Sequence, residues 1–250
     1  MSASGLSSAM IGIIYSVILI YFILGGISFY FINRHKPKEV ARESYIKFGS
    51  YFVIITLLFF SIAIQPALFF AIAGLIVGVG LWEMIRVYRS DPEGNGKYFY
   101  IGLCTIILLA VGFIAFSRLE PSLILYAFLI LSIFDSFSQI SGQLFGRRKL
   151  FPEISPNKTV GGLIGGLIIA ITSGMFLRGI YGGESGDMII LLVGIVLFAF
   201  GGDVGASWYK RVFGVKDYSS LIPGHGGFLD RFDSLIAGGC WVMLWHLIFG

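Results

Sequence analysis

The chain has 250 residues, 56% of them apolar and only 13% charged, with a mean hydropathy of +0.88 and a formal charge of +4. Such a composition lies outside the soluble globular range, and the modest charge points to no nucleic-acid partner. Cys104 and Cys240 both fall inside apolar stretches, which excludes a disulfide framework or a zinc site and leaves inert thiols.

In chain order, segments long and apolar enough to cross a bilayer fall at about 8–33, 48–65, 66–86, 98–118, 121–144, 161–181, 187–209 and 227–249. The fold expected is all-α, a polytopic transmembrane helical bundle of about eight spans. The N-terminal Met-Ser-Ala-Ser-Gly has no basic run, and the stretch after it is too long for a signal-peptide core, so it reads as a retained helix. Gln65-Pro66 alone separates the second span from the third, a tight turn or a break in one helix. The other connections are too short for a soluble domain. Polar residues gather late in the chain, dividing it into N-terminal transmembrane helices, 1–120, and a catalytic transmembrane region with its loops, 121–250.

Basic residues set the orientation. One alternating set of loops and span ends carries 16 of the 18 Lys and Arg residues; the other carries only Arg118 and Arg178. The positive-inside rule puts the first set in the cytoplasm and both termini outside an inner or plasma membrane.

Three elements on the cytoplasmic side carry polar chemistry. At the end of the fifth span, Asp135, Ser138, Gln139 and Gly142 share a helix face; Ser138 and Gln139 suit helix packing, whereas a carboxylate in an apolar span marks a wet, functional cavity. Next, Ile154–Gly162 opens the sixth span, with Asn157 or Thr159 as its cap and Lys158 beside a helix N-terminus suited to an anion. Gly161, Gly162, Gly165 and Gly166 give overlapping G-x-x-x-G spacings, read as close helix packing that would also permit a homodimer. Third, the 27 residues Ser207–Asp233 hold four basic side chains, three carboxylates and one of the three histidines. Asp203 and Ser207 lie one turn apart with Lys210 and Arg211 beyond them, Pro223–Gly227 is a flexible turn, and Asp230 and Asp233 flank Arg231 on the opening turn of the last span. Taken singly, Asp230 and Asp233 would be helix-dipole partners, and His225 a turn cap. Jointly, they suit a hard cation bridging to phosphate oxygens.

This run resembles the signature of the phosphatidate cytidylyltransferase family, the CDP-diacylglycerol synthases. Ser207, Lys210, Arg211, Lys216, Asp217, His225, Gly226, Gly227, Asp230, Arg231 and Asp233 keep every spacing of that signature, with Tyr209 replacing a usual aliphatic residue. Upstream, Asp135–Gly146 is similar to a family segment, and Ser155, Pro156, Lys158, Thr159 and Gly162 match a family loop from which Asn157, Val160 and Gly161 depart. The resemblance implies condensation of CTP with phosphatidic acid to give CDP-diacylglycerol and pyrophosphate among membrane lipids. For that reaction we assign Asp203, Asp230 and Asp233 to Mg²⁺, a second cation being allowed and Asp217 an additional ligand. Lys210, Arg211, Lys216 and Arg231 are expected to clamp phosphates with Ser207 and the amides of Gly226 and Gly227. Ser155 and Lys158 fall to the lipid head group, and Asp135 is expected to take part in substrate binding. The nucleophile is already an anion, so His225 is expected to position rather than accept a proton. A CTP-using transferase acting on an isoprenoid phosphate would share the metal site. A transporter would use Asp135 and Asp203 as pathway carboxylates, but no inverted repeat is apparent.

The orientation is open to a direct check. A cysteine placed at Gly183 should be labelled by an impermeant maleimide from outside intact cells, and one at Gly214 should not. The opposite pattern would invert the topology.

Overall fold

The computed structural model describes residues 7–35, 37–90, 96–181, 185–224 and 226–250. Eight long helices take up the predicted spans: α1 (Ser8–Asn33), α2 (Lys38–Ile64), α3 (Pro66–Arg89), α4 (Gly96–Phe116), α5 (Pro121–Phe145), α6 (Val160–Leu177), α7 (Ser185–Val212) and α8 (Leu229–Phe249). Each contains a window long and apolar enough to cross a membrane, and the chain is an integral membrane protein. A short antiparallel hairpin, β1 (Lys149–Phe151) and β2 (Ser155–Thr159), joins α5 to α6, with Lys149 opposite Thr159 and Phe151 opposite Ser155.

Local chemistry sets the boundaries. Gln65 leaves the helical region at φ −137°, ψ 80°, and Pro66 opens α3, where its missing N–H is harmless. The second and third spans are therefore separate helices. Charged residues extend α2 back to Lys38, ahead of the apolar stretch, with Glu39 in the first turn where the helix dipole favours it. Between the two expected caps of α6, the structure uses Thr159, whose hydroxyl accepts from Gly162 N at 3.1 Å.

The most extensive packing joins α5 to α6, α7 to α8 and α4 to α8. A Cβ on Gly162 would stand 2.7 Å from the Ser138 carbonyl oxygen, one on Gly166 2.8 Å from Ser138 Cβ, and one on Gly161 2.8 Å from the Phe145 carbonyl oxygen. The glycine stripe of α6 is thus spent on α5 of the same chain. At the α7–α8 crossing, a Cβ on Gly202 would meet the Asp233 carbonyl oxygen at 2.8 Å, so the two backbones run close where the acidic residues begin. Aromatic donors inside the bundle find backbone acceptors: buried Tyr126 Oη donates to Gly174 O at 2.9 Å and half-buried Trp241 Nε1 to Leu191 O at 3.1 Å.

Because the α5–α6 approach admits no side chain at position 162, Gly162→Val should destabilise the protein by about 1–3 kcal/mol through overpacking. Gly201→Val, at a site with nothing within 4 Å, should be near neutral. Melting of both variants in detergent measures the difference.

Candidate functional site

A cavity of about 1280 Å³ opens among α1, α2, α5, α6, the hairpin and the junction of α7 with α8. It exceeds the roughly 300–1,000 Å³ of ordinary small-ligand pockets. One end is polar, lined by Asp135, Lys158, Asp203, Lys210, Arg231 and Asp233. Much of the rest is apolar, formed by residues such as Ile14, Phe22, Ile54, Phe128, Leu163 and Phe176. Asp135 lies ten residues before the end of α5, roughly 15 Å along the helix at 1.5 Å per residue, so the polar end reaches into the bundle.

Two ion pairs organise the polar end. Lys158 Nζ, carried by β2, pairs with Asp203 Oδ2 on α7; Ser207 Oγ, one turn on, donates to Asp203 Oδ1 at 3.4 Å. Asp203 remains 42% exposed at its side chain. The Phe200 ring lies 4.9 Å from the Lys158 ammonium. Asp135 and Asp233 both lie within electrostatic reach of Asp203 and Lys158.

The second pair is enclosed. Lys210 Nζ donates to Asp230 Oδ1 at 2.5 Å, with side-chain exposures of 11% and 2%. Asp230 Oδ2 accepts from Tyr218 N and Gly227 N, both at 2.8 Å. The Tyr218 ring covers Lys210 at 5.5 Å, and its hydroxyl donates to Ala206 O at 3.1 Å. Burial, then the neighbouring Asp233, Tyr209, Asp230 and Glu83, push the Tyr218 phenol well above its ordinary value, so it stays a donor at neutral pH. Tyr209, the departure from the family pattern, donates to Met84 O at 3.2 Å and stacks with Tyr218.

Other expected residues have different surroundings. Arg211 does not line the cavity: its Nε donates to Ile154 O at 3.3 Å and its Nη1 to Val215 O at 3.1 Å, tying the hairpin to the end of α7. Lys216 is exposed and does not line the cavity, whereas Asp217, Arg231 and Ser155 do. The amide of Gly227 is taken by Asp230. Gly226 adopts φ +86°, and a Cβ there would meet Asp230 Oδ2 at 2.9 Å, so tight folding of the turn accounts for this glycine. His225 lies outside the described residues.

Three side chains escaped the sequence reading. Lys47 and Tyr51, one turn apart on α2, line the cavity; Lys47 had counted only as an orientation marker. Glu83 of α3 is fully buried and accepts from Phe228 N at 2.9 Å, Leu229 N at 2.8 Å and Ser219 Oγ at 2.5 Å. Its signal is the one that marks Asp135, a carboxylate in an apolar span.

Among the described residues, no three carboxylates, histidines or cysteines converge as a ready-made metal centre. The donors still suit a hard divalent cation, because Asp203 and Asp233 offer carboxylate oxygens at the cavity and such a cation readily completes its shell with substrate oxygens or water. Asp230 suits it less, since its side chain is enclosed and held by Lys210 and two backbone amides, whereas Asp203 is partly exposed.

Residues 97–249 match the cytidylyltransferase family. A phosphatidate cytidylyltransferase of Staphylococcus haemolyticus is 42% identical over 139 residues, 54% of this chain and 54% of that protein. Proteins of the same name from Staphylococcus saprophyticus and Staphylococcus aureus (strain COL) are similar to this chain: 44% identical over 115 residues, 45% of this chain and 44% of that protein, and 40% identical over 139 residues, 54% of each. The aligned part of the chain spans about half the length of the curated relatives it matches.

Removing one partner of an enclosed ion pair leaves the other buried and unpaired, typically at a cost of about 3–5 kcal/mol. Lys210→Met should therefore lower the melting temperature far more than Lys158→Met, whose partner Asp203 is partly exposed. Equal shifts would contradict this division.

Proposed function

The chain belongs to the cytidylyltransferase family, and from that premise we propose that it condenses CTP with phosphatidic acid, yielding CDP-diacylglycerol and pyrophosphate. The observation that carries the reading is a single cavity with a polar, cation-bearing end continuous with an apolar flank. A lipid that keeps its chains in the membrane while its phosphate meets a nucleotide calls for such a space. The balance of basic residues further supports a cytoplasmic site, where CTP is available.

In the proposed reaction a phosphatidate oxygen attacks the α-phosphorus of CTP. A new P–O bond forms as the bond from that phosphorus to the β-phosphate bridging oxygen breaks, and pyrophosphate leaves with the electron pair. Two anions must be brought together, so the site has to offset their repulsion before bond formation. Lys158 and Arg231 face the cavity and supply mobile positive charge, Lys158 toward the lipid phosphate. Lys210 is committed to Asp230 and holds the α7–α8 junction. Asp203 and Asp233 would hold Mg²⁺, which when bound neutralises phosphate charge and stabilises the leaving pyrophosphate. With Asp203 given over to a cation, Lys158 would be free to pair with a phosphate. No side chain needs to remove a proton.

Purified protein with labelled CTP, phosphatidate and Mg²⁺ should form a lipid-soluble cytidine product, and release of pyrophosphate should match it. Product with a polyprenyl phosphate and none with phosphatidate would overturn the lipid assignment. Chelation of divalent cations should abolish turnover. Asp203→Asn and Asp233→Asn should each lower turnover by at least about 100-fold, as loss of a metal ligand does, while remaining monodisperse. Near-normal turnover in both would place the cation elsewhere.

A further inference from the structure

Helix α8 begins without a local cap: Phe228, at its N-cap position, is itself in the helical region, and its side chain caps nothing. The first amides of a helix still need acceptors when they are out of water. Here the acceptor comes from α3, 145 residues earlier. Glu83 Oε1 accepts from Phe228 N and from the Ser219 hydroxyl, and Oε2 accepts from Leu229 N. Gly227 has to be glycine in this packing, because a Cβ would run into the Glu83 carboxylate. The loop is also held from α2, where Ser50 Oγ donates to Pro223 O at 3.1 Å and Gly224, at φ +74°, lies against Lys47.

Glu83 is fully buried in an apolar span. Among the described residues the ion pairs are Lys158–Asp203 and Lys210–Asp230, and neither includes Glu83. A carboxylate in that setting is expensive even with three donors. Stability alone would favour a leucine facing a differently capped helix. What the carboxylate achieves is geometric: it fixes Phe228 and Leu229, and the next residue is Asp230, the partner of Lys210.

We propose that Glu83 is a positioning residue of the cavity, a cap lent by α3 to α8 that sets the Lys210–Asp230 pair and the first turn of α8 against Asp203. Glu83 does not line the cavity. The inference rests on the cytidylyl-transfer reading above and places part of the reaction's geometry in a helix outside the matched residues 97–249.

The test compares Glu83→Gln with Val242→Ala in the full-length protein, well below either melting temperature. The glutamine offers an NH₂ group where Leu229 N–H needs an acceptor. Val242 is buried on α8, twelve residues or about 18 Å beyond Asp230 at 1.5 Å per residue, so its truncation destabilises without reaching the cavity. The expected result is a kcat at least about tenfold lower in Glu83→Gln, with KM for CTP and phosphatidate within about twofold, as when a transition-state arrangement is lost without ground-state contacts. Val242→Ala should melt earlier with kcat unchanged. Wild-type kcat in Glu83→Gln, or an equal fall in Val242→Ala, overturns the proposal. Should Glu83→Gln not be recovered monodisperse, Ser219→Ala removes one donor from the same carboxylate, and an unchanged kcat there overturns it equally. If the wild-type protein makes no lipid-soluble cytidine product, the functional reading fails separately. Backbone hydrogen exchange across 217–230 then decides: faster exchange in Glu83→Gln or Ser219→Ala supports the cap, and unchanged exchange rejects it.

Discussion

A carboxylate withdrawn from water into an apolar bundle persists only if donors or a cation surround it, and two such carboxylates meet at the start of α8. Asp230 collects the Lys210 ammonium and two backbone amides; Glu83 collects a hydroxyl and two more amides. These six donors come from α7, the loop after it and the first turn of α8. Satisfying them folds that loop into one shape. With Lys210 anchored, the rotation of α7 is set as well. Asp203 lies seven residues, about two turns, before Lys210, so the two share a helix face directed at the cavity.

The polar end of the cavity therefore contains two kinds of ion pair. Lys210–Asp230 is enclosed and bonded on every side, which makes it a fixture of the fold. Lys158–Asp203 spans two elements that meet only loosely, a hairpin strand and α7, and its carboxylate is partly open to the cavity. A pair of that kind is worth little in stability and separates readily when stronger ligands arrive. An anion for Lys158 and a divalent cation for Asp203 would be such ligands. In this reading the protein keeps its cationic and acidic groups mutually neutralised until substrate and metal separate them.

The spans were legible in the sequence because membranes impose a coarse code, in which length and hydropathy mark each crossing helix. The dense run Ser207–Asp233 stood out because charge is rare in the chain, and its three carboxylates all line the cavity. Long-range partners were not legible. Nothing near Glu83 in sequence reveals that its acceptors serve amides 145 residues away, and Arg211 and Lys210, adjacent in the chain, diverge because a helix turns about 100° per residue. The β1–β2 hairpin was hidden because Pro156 and Asn157 favour a turn, while its pairing depends on Lys149 meeting Thr159. The G-x-x-x-G stripe announced close packing without naming the helix it would meet.

If Lys158–Asp203 is the pair that substrate and metal separate, a structure of the full chain with CTP and Mn²⁺, with the metal located by anomalous scattering, exposes it most directly. The account predicts Mn²⁺ against Asp203 and Asp233, the triphosphate in the cavity, Lys158 withdrawn from Asp203 and Lys210 still on Asp230. Nucleotide bound outside the cavity, or Mn²⁺ held by Asp230 with Lys210 displaced, would contradict it.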